Sequence, residues 1–475
     1  MEGEWDKKMT DKNSKTVDES SNNLKRSMKV HQVVMLGVGG TIGTGLFVGS
    51  GYTISKAGPG GTLLAYGFGA LIMYLMMMCL GELLVAKPIA GGVQAYATEF
   101  IGDSMGFTVG WVKWLSYAIT IPTQLVASGI IMKNIFPSVP ELVWIILFMV
   151  LLFFMNARPA EKYGNINFWF SSIKFILIIV FVIVGLGMIL GIGQPEPIGF
   201  SNFTSHGGLF PNGLKAVVMT MMISAFAYGG ADLFAATASE SENPEKDMPV
   251  AINSVILGLV ISYFVSFIVL LAILPWNQAD LAGSPFAYVF QKAGFKSAEL
   301  VVNIVVLTSA LSSCNAFIYS STRSLWSMGQ YKQAPGFVTK VNKNDIPMNA
   351  LIITMLFALG AVVSSILSPD LVYLFLTSLI GISNMFIYVL YGVCVMKFRK
   401  QMSKDNISVD TLKYKTPLYP LIPILLIILS AVVFVGMFFD PTQKSALIAG
   451  IPTYSLIFLG AHVYYKNKGK KENNK

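Results

Sequence analysis

Apolar runs of about 20 residues, separated by short polar breaks, recur from Val33 almost to the end of the chain. A helix rises about 1.5 Å per residue, so each run can cross the roughly 30 Å hydrocarbon core of a bilayer. The pattern predicts an all-α integral membrane protein with about twelve transmembrane helices. The predicted helices cover residues 31–55, 61–86, 105–135, 141–157, 166–192, 213–238, 250–274, 298–328, 348–368, 371–398, 418–439 and 444–465.

The two ends of the chain are polar. Residues 1–30 are rich in Lys, Asp, Ser and Asn and lack the apolar core of a cleaved signal peptide, so we expect a disordered cytoplasmic tail. Residues 466–475 form a second, basic cytoplasmic tail. The stretch from Pro275 to Ala298 is too polar to span a membrane and is expected to be an external loop with a short interfacial helix.

Composition supports the membrane interpretation. Of 475 residues, 54% are hydrophobic and 12% are charged, and the mean hydropathy is +0.63, whereas soluble domains carry about 25% charged residues. The predicted helices leave no room for a soluble domain.

The net charge of +9 reflects topology and does not indicate a nucleic-acid partner. With twelve spans, both tails lie on one side of the membrane with most of the basic loop residues. By the positive-inside rule that side is the cytoplasm. The basic residues on that side, apart from the tails, are Arg158, Lys162, Lys246, Lys332, Lys340, Lys343, Lys397, Arg399, Lys400, Lys404, Lys413 and Lys415.

Two predicted spans contain sequences that an unbroken helix disfavours. Residues 37–45, GVGGTIGTG, hold five glycines in nine positions, and residues 226–232, FAYGGAD, combine a glycine pair with an acid. Each interior glycine destabilises a helix by about 1 kcal/mol relative to alanine. Unwound backbone at membrane depth is tolerated where it lines a cavity or is buried in protein. We therefore predict that the first and sixth helices are broken.

Interrupted helices at matching places in two halves are typical of transporters built from inverted repeats, with the substrate bound between them. Amides at the start of the half-helix after Gly45 attract an anionic group, and the free carbonyls before a break attract a cation. An amino acid carries both charges. The alternative is that the glycines only permit close helix packing. Two matched clusters, one followed by an intramembrane acid, favour the breaks.

The first glycine cluster belongs to a longer stretch, GGTIGTGLFVGSG at 39–51, which resembles the first-helix signature of bacterial amino acid permeases of the amino acid, polyamine and organocation superfamily. The resemblance runs from about residue 25 to 465. Further similar stretches are GEL at 81–83 with Pro88, the pair Gly91-Gly92, SESENPEK at 239–246 with Pro249, and SSTR at 320–323 with Ala334-Pro335 and Pro347.

This resemblance implies a LeuT-type fold: a 5+5 inverted-repeat core of ten helices at 31–398 and two additional helices at 418–465. It also implies import of an α-amino acid by proton symport across a bacterial plasma membrane. The positions that match the family's site for the substrate carboxylate are Thr41, Gly43, Thr44 and Gly45. The carbonyls that match its site for the ammonium lie near Phe226, Ala227 and Tyr228.

Lys174 in the fifth span matches the lysine that, in proton-coupled relatives, occupies the place of a sodium ion. Its ammonium is then expected to meet carbonyls and hydroxyls of the first and eighth helices. Independently of the family, a charged lysine inside an apolar span is costly, and burial favours release of its proton. We therefore predict a proton-coupling role. The alternative is snorkelling, because Lys174 lies within two or three turns of the cytoplasmic end of its span.

Two positions depart from the family pattern. Asp232 stands where the family usually has Glu, and Gln124 stands where it often has an acid. Asp232 is expected to be a gating or substrate-facing group, with capping of the second half of the sixth helix as the alternative. Gln124 removes a negative charge from near the pocket, which favours a neutral amino acid over a cationic one. Lys113 and Trp114 are interpreted as interfacial anchors of the third span.

Acidic residues near the cytoplasmic ends of two spans are expected to form gate ion pairs. The acids are Glu82 and the run from Glu240 to Glu242. The basic partners considered are Arg158, Lys162 and Arg323.

Other classes of function find little support. An intramembrane enzyme needs a metal or nucleophile constellation, but His31, His206 and His462 all lie at or beyond helix ends. We expect no cofactor or metal. Three cysteines in or beside apolar segments indicate no disulfide framework.

Within the transporters, an exchanger and a permease for cationic amino acids or polyamines are the alternatives to a symporter. A non-transporting amino acid sensor is an alternative from another class, although the short tails leave no room for a signalling domain. The expected partners are a free amino acid, a proton and the lipid bilayer, with the chain acting as a monomer or weak dimer.

Overall fold

The computed structural model describes residues 25–473 except 48, 90, 193–195, 280–283, 295–297, 367–368 and 440–443. Its regular structure is helical, apart from an isolated β-bridge between Met28 and Ser241. The α-helices are α1 (Val30–Thr41), α2 (Thr44–Phe47), α3 (Gly49–Ala86), α4 (Val93–Phe100), α5 (Asp103–Ile135), α6 (Glu141–Asn156), α7 (Ala160–Ile189), α8 (Gly213–Ala227), α9 (Pro244–Ile273), α10 (Pro285–Lys292), α11 (Ala298–Gln330), α12 (Met348–Ile366), α13 (Pro369–Lys404), α14 (Leu421–Gly436) and α15 (Lys444–Asn473).

Short 3₁₀ helices complete the described structure. The longest, Leu233–Glu240, follows α8. The others are Ser201–Phe203, Trp276–Gln278, Gly336–Thr339, Val409–Thr411 and Met437–Phe439.

Each of the twelve predicted segments overlaps one of these helices. Among the described residues, eight helices are long and apolar enough to cross a membrane, and α6, α8 and α12 contain shorter apolar helices. These helices confirm the prediction of a helical membrane protein. The number of twelve crossings remains a prediction. The short helix expected in the loop after α9 is α10. Helix α4, with the sequence VQAYATEF, is a further short helix that we did not predict.

Helix α3 combines the end of the first predicted span with the whole of the second. The two parts meet at Gly58, whose φ of 71° and ψ of −176° are not helical. This backbone conformation favours glycine because a Cβ would be strained there. Pro59 begins the second part, where its missing N–H removes no helical hydrogen bond.

The helices are packed so that α1, α3, α5 and α11 are largely enclosed. Helix α3 packs along α8, α5 packs along α11, and α1 is held between α7 and α9. The outer helices expose large apolar side chains, including Ile183 (64% exposed), Ile428 (50%) and Leu456 (69%). Apolar surface of this extent is stable against lipid rather than water.

Both ends of the described chain lie at the same end of the bundle. The backbone N–H groups of Ser27 and Met28 donate to Glu240 O, both at 2.9 Å. The ring of Tyr465 in α15 packs against Phe107 in the first turns of α5. We call this end, which carries residues 25–29, α4 and the last turns of α11, the tail end. Residues 1–24 of the predicted N-terminal tail lie outside the described residues.

Gly106 in α5 lies against α4 with no space for a side chain. An added methyl group would lie 2.7 Å from Thr98 Cα, which is backbone and cannot rotate away. We expect Gly106→Ala to destabilise the protein by about 1–3 kcal/mol, as overpacked cores do. Thermal unfolding in detergent measures the change.

Gly460→Ala in α15 is the matched control, because Gly460 has no neighbouring atom within 4 Å of an added Cβ. It should leave the unfolding temperature unchanged or slightly raised, since alanine favours helix. Equal unfolding temperatures for the two variants would contradict the packing described between α4 and α5.

Candidate functional site

The break in the first helix leaves carbonyl groups that no helical N–H can reach. Helix α1 ends at Thr41, Ile42 adopts extended ψ of 90°, and α2 begins at Thr44. A helix end inside a membrane must find donors for its last carbonyls, because no bulk water is available. The predicted break is therefore present, centred on Ile42 and Gly43.

Three helices supply the missing donors. Lys174 on α7 donates to Gly39 O and, at 2.7 Å, to Ile42 O. Ile42 O also accepts from Ser309 Oγ at 2.9 Å, and Gly40 O accepts from Ser313 Oγ at 2.6 Å, both from α11. Tyr263 Oη on α9 lies 3.5 Å from Thr41 O. The end of α1 is thus tied to α7, α9 and α11 at one point.

Lys174 is fully buried, with 0% of its surface exposed. Its ammonium contacts carbonyls rather than solvent, so the side chain does not snorkel. Among the described residues, no acidic side chain forms an ion pair with it. The predicted contact with first-helix carbonyls is present, and Ser309 of the eighth predicted helix shares one of them.

Gln124 on α5 lies directly beside the break. Thr44 Oγ1 donates to Gln124 Oε1 at 3.1 Å, and Gln124 Nε2 donates to Ser313 Oγ at 3.3 Å. A Cβ at Gly43 would lie only 3.0 Å from Gln124 Nε2 and from Ser313 Oγ. Glycine at 43 therefore lets the backbone approach α5 and α11 closely. Thr41 instead bonds back to Gly37 O at 2.7 Å.

The second break follows α8, which ends at Ala227 rather than at 238 as predicted. Gly230 has φ of 105°, and an added Cβ there would lie 3.4 Å from Gly40 O. Tyr263 Oη donates to Ala227 O at 2.7 Å as well as approaching Thr41 O. The two breaks therefore face each other across Tyr263.

The other predicted substrate residues near these breaks are Gly45, Tyr228 and Phe226. Gly45 O accepts from Tyr66 Oη at 3.5 Å. Tyr228 is buried, its ring packs 4.8 Å from that of Tyr263, and its hydroxyl has no hydrogen-bond partner among the described residues. Phe226 contributes described backbone only.

Asp232 lies at the start of the 3₁₀ helix but does not cap it with its side chain. Its Oδ2 lies 2.6 Å from Lys113 Nζ and accepts from Tyr391 Oη at 2.9 Å, while Tyr117 Oη lies 3.4 Å from Oδ1. The capping alternative is wrong. The interpretation of Lys113 and Trp114 as interfacial anchors is also wrong, because these residues are only 4% and 2% exposed.

The sequence contained a signal for this pair. Lys113, Tyr117 and Gln124 occupy positions i, i+4 and i+11 and so share one face of α5. A lysine on the face that carries Gln124 requires a counter-charge, and Asp232 is the acid within the second glycine cluster. What the sequence lacks is the distance between α5 and that cluster.

Buried ion pairs also join separate segments at the tail end. Glu240 pairs with Arg323 at 3.1 Å and accepts from Tyr319 Oη at 2.9 Å, and its carbonyl is the one bound by residues 27 and 28. The guanidinium of Arg323 stacks 3.5 Å from the ring centre of Tyr319. Of the basic partners predicted for these acids, Arg323 is the one that pairs with Glu240.

Glu82 has a partner that we did not predict. It forms two bonds of 2.7 Å with Arg399 and accepts from the backbone N–H of Thr416 at 2.6 Å. This interaction connects α3, α13 and the segment before α14 at one point.

These features define a helical integral membrane protein in which two interrupted helices face each other around a buried polar centre. Residues 32–474 match the family model described as Amino acid permease, so the chain belongs to the amino acid permease family. It is therefore a transporter of amino acids rather than an enzyme, and a multi-pass protein of the plasma membrane.

Individual relatives align over nearly their whole length. The chain is 41% identical to the putative histidine permease of Bacillus subtilis over 449 residues, covering 94% of each chain. It is 39% identical to the amino-acid permease RocC of the same organism, covering 95% of this chain and 96% of the relative. It is 34% identical to the lysine-specific permease LysP of Escherichia coli, covering 94% and 95%.

The contribution of the buried ion pair of Arg323 and Glu240 to stability can be tested by substitution. Both side chains are 1% exposed, so Arg323→Gln leaves a buried carboxylate without its counter-charge. We expect a loss of about 3–5 kcal/mol in stability. Thermal unfolding of purified protein in detergent measures it.

Lys413→Gln is the comparison variant, because Lys413 and Glu245 are 59% and 60% exposed. An exposed pair contributes about 0–1 kcal/mol, so this variant should unfold close to the unsubstituted protein. If Arg323→Gln were no less stable than Lys413→Gln, the buried pair described here would be wrong.

Proposed function

We propose that this protein imports an α-amino acid together with a proton. The proposed architecture is the LeuT type, with two inverted five-helix repeats in residues 31–398, two additional helices at 418–465, and the tail end facing the cytoplasm. The carrier works as a monomer or weak dimer. The observation that carries the proposal is the buried Lys174 ammonium bound to the carbonyls at the break of α1.

The substrate is held between the two breaks. Its carboxylate binds the amides of Gly43, Thr44 and Gly45 at the start of α2, where the positive end of the helix dipole favours an anion. Its ammonium binds the carbonyls that end α8, near Ala227 and Tyr228. Tyr263 now bonds to Ala227 O, so the substrate competes with that hydroxyl. The unpartnered hydroxyl of Tyr228 is a further polar contact for it.

Lys174 couples the proton to this site. A buried lysine without an acidic partner can lose its proton without leaving an unpaired anion behind. In the charged form, its hydrogen bonds to Gly39 O and Ile42 O hold the break of α1 against α7. Loss of the proton weakens both bonds, because they are then no longer charge-assisted. The break can then move, and the movement of α1 is linked to the proton.

The charges near the site favour a substrate without net charge. Gln124 is neutral, and the carboxylate of Asp232 is already balanced by Lys113. A histidine side chain, with an ordinary pKa of about 6.5, is mostly uncharged above neutral pH and fits this condition. The likeness to the lysine-specific permease LysP keeps a cationic amino acid as the second candidate.

Uptake into vesicles separates these possibilities. We expect energised vesicles carrying the protein to accumulate a small set of labelled amino acids, and this accumulation to collapse when an uncoupler dissipates the proton gradient. Each of the standard amino acids is supplied in turn, and empty vesicles give the background. Uptake that ignores the uncoupler but rises with internal amino acid would identify an exchanger, and binding without uptake would identify a sensor.

Lys174→Met tests the coupling. The methionine fills similar space but cannot hold a proton, so we expect the ratio of internal to external substrate to fall to about 1, the value for uncoupled equilibration. Lys162→Met is the matched control, since Lys162 lies on the same helix and is exposed. Concentrative uptake by Lys174→Met would overturn the assigned role.

A further inference from the structure

The ion pair of Lys113 and Asp232 is almost completely buried, more so than an ion pair needs to be if it only stabilises helix packing. The two side chains are 5% and 1% exposed, and the ammonium lies 4.6 Å from the centre of the Tyr117 ring. Hydroxyls from α5 and α13 also approach the carboxylate. Removing two charges from water is expensive, and an apolar pair of similar shape is often equally stable or more stable. Packing alone therefore does not explain the pair.

Its position relates it to the substrate site. Tyr117, which contacts Asp232, packs its ring 5.5 Å from that of Phe317, and Phe317 in turn bounds the space beside Gly230 in the second break. Asp232 itself ends the second break, two residues after Gly230, so the ion pair lies beside the facing breaks and next to the rings of Tyr117 and Phe317.

On its other side the pair borders a small cavity. The cavity is lined by Gly91 and Gly92, which precede α4, and by Ser324 in the last turns of α11. These residues belong to the tail end. The ion pair therefore lies between the two breaks and the tail end, where a solute moving from one to the other would meet it.

From this placement we propose that Lys113 and Asp232 form a charge filter, which admits amino acids of zero net charge and rejects those with a charged side chain. The proposal rests on the proposed transport function and names its substrate class. A zwitterion can exchange partners with the pair, its carboxylate meeting Lys113 and its ammonium meeting Asp232. The total charge in the passage remains zero at each step.

A charged side chain breaks this balance. A cationic amino acid brings a second ammonium to a carboxylate that Lys113 already neutralises, and like charges in a dry site repel strongly. An anionic amino acid brings a second carboxylate to an ammonium that Asp232 already neutralises, and the two carboxylates repel each other. The ammonium of Lys113 thus occupies the position beside Asp232 that the side-chain cation of a substrate would need.

Single substitutions should change selectivity in opposite directions. Lys113→Met leaves Asp232 as an unpaired acid and is expected to raise the ratio of lysine uptake to neutral amino acid uptake by about tenfold or more. Asp232→Asn leaves the ammonium and should raise the ratio of aspartate uptake instead. The double variant restores zero charge and should keep the ratios of the unsubstituted protein. Each ratio is measured within one vesicle preparation, so differences in expression cancel.

The outcomes decide between a filter and a structural tie. Equal losses of uptake for all three substrate classes in both single variants would show a structural tie and overturn the filter. The filter predicts opposite shifts in selectivity for the two variants. One correctly folded variant is therefore sufficient to test it.

The unsubstituted protein gives an independent test. Unlabelled lysine should inhibit uptake of the neutral substrate only weakly. Labelled lysine itself should not accumulate. Accumulation of lysine equal to that of the neutral substrate would overturn the filter. Failure to accumulate any amino acid would instead overturn the proposed transport function.

Discussion

The carbonyl groups left free at the end of α1 are the constraint on which the centre of this protein depends. A helix that stops at membrane depth must find donors from its surroundings, because bulk water cannot reach it. Here the donors are Lys174, Tyr263, Ser309 and Ser313, from three different helices. The break of α1 thus requires other helices to bring donors to this point, and α7, α9 and α11 do so.

Among the described residues, Lys113 and Lys174 are the buried lysines, and their partners differ in kind. Lys174 contacts carbonyls of the break, whereas Lys113 contacts a carboxylate. Loss of a proton from Lys174 leaves only neutral groups behind. Loss of a proton from Lys113 would leave the carboxylate of Asp232 buried without its counter-charge, which is costly. This difference supports the roles proposed for the two residues, proton coupling for Lys174 and a charge filter for Lys113.

The contacts at the tail end differ in kind from those at the break of α1. The tail end relies on ion pairs that bridge distant parts of the chain, Glu240 with Arg323 and Glu82 with Arg399, and on backbone pairing of residues 27 and 28. The donors at the centre are single side chains bound to carbonyls, whereas these contacts join whole segments. Under the proposed transport function, movement of the substrate toward this end would require several of these contacts to separate.

The sequence by itself determined the approximate positions of the long apolar helices and of the two breaks, because the length of an apolar run and the helix-destabilising effect of glycine are local properties. It also determined that Lys174 would lie near the first break, through resemblance. The tertiary structure decided that α8 ends at Ala227, and that Lys113 is paired with Asp232, 119 positions away. Ion pairing depends on which helices are neighbours and how they are rotated, and neither is encoded in the pattern of any single segment.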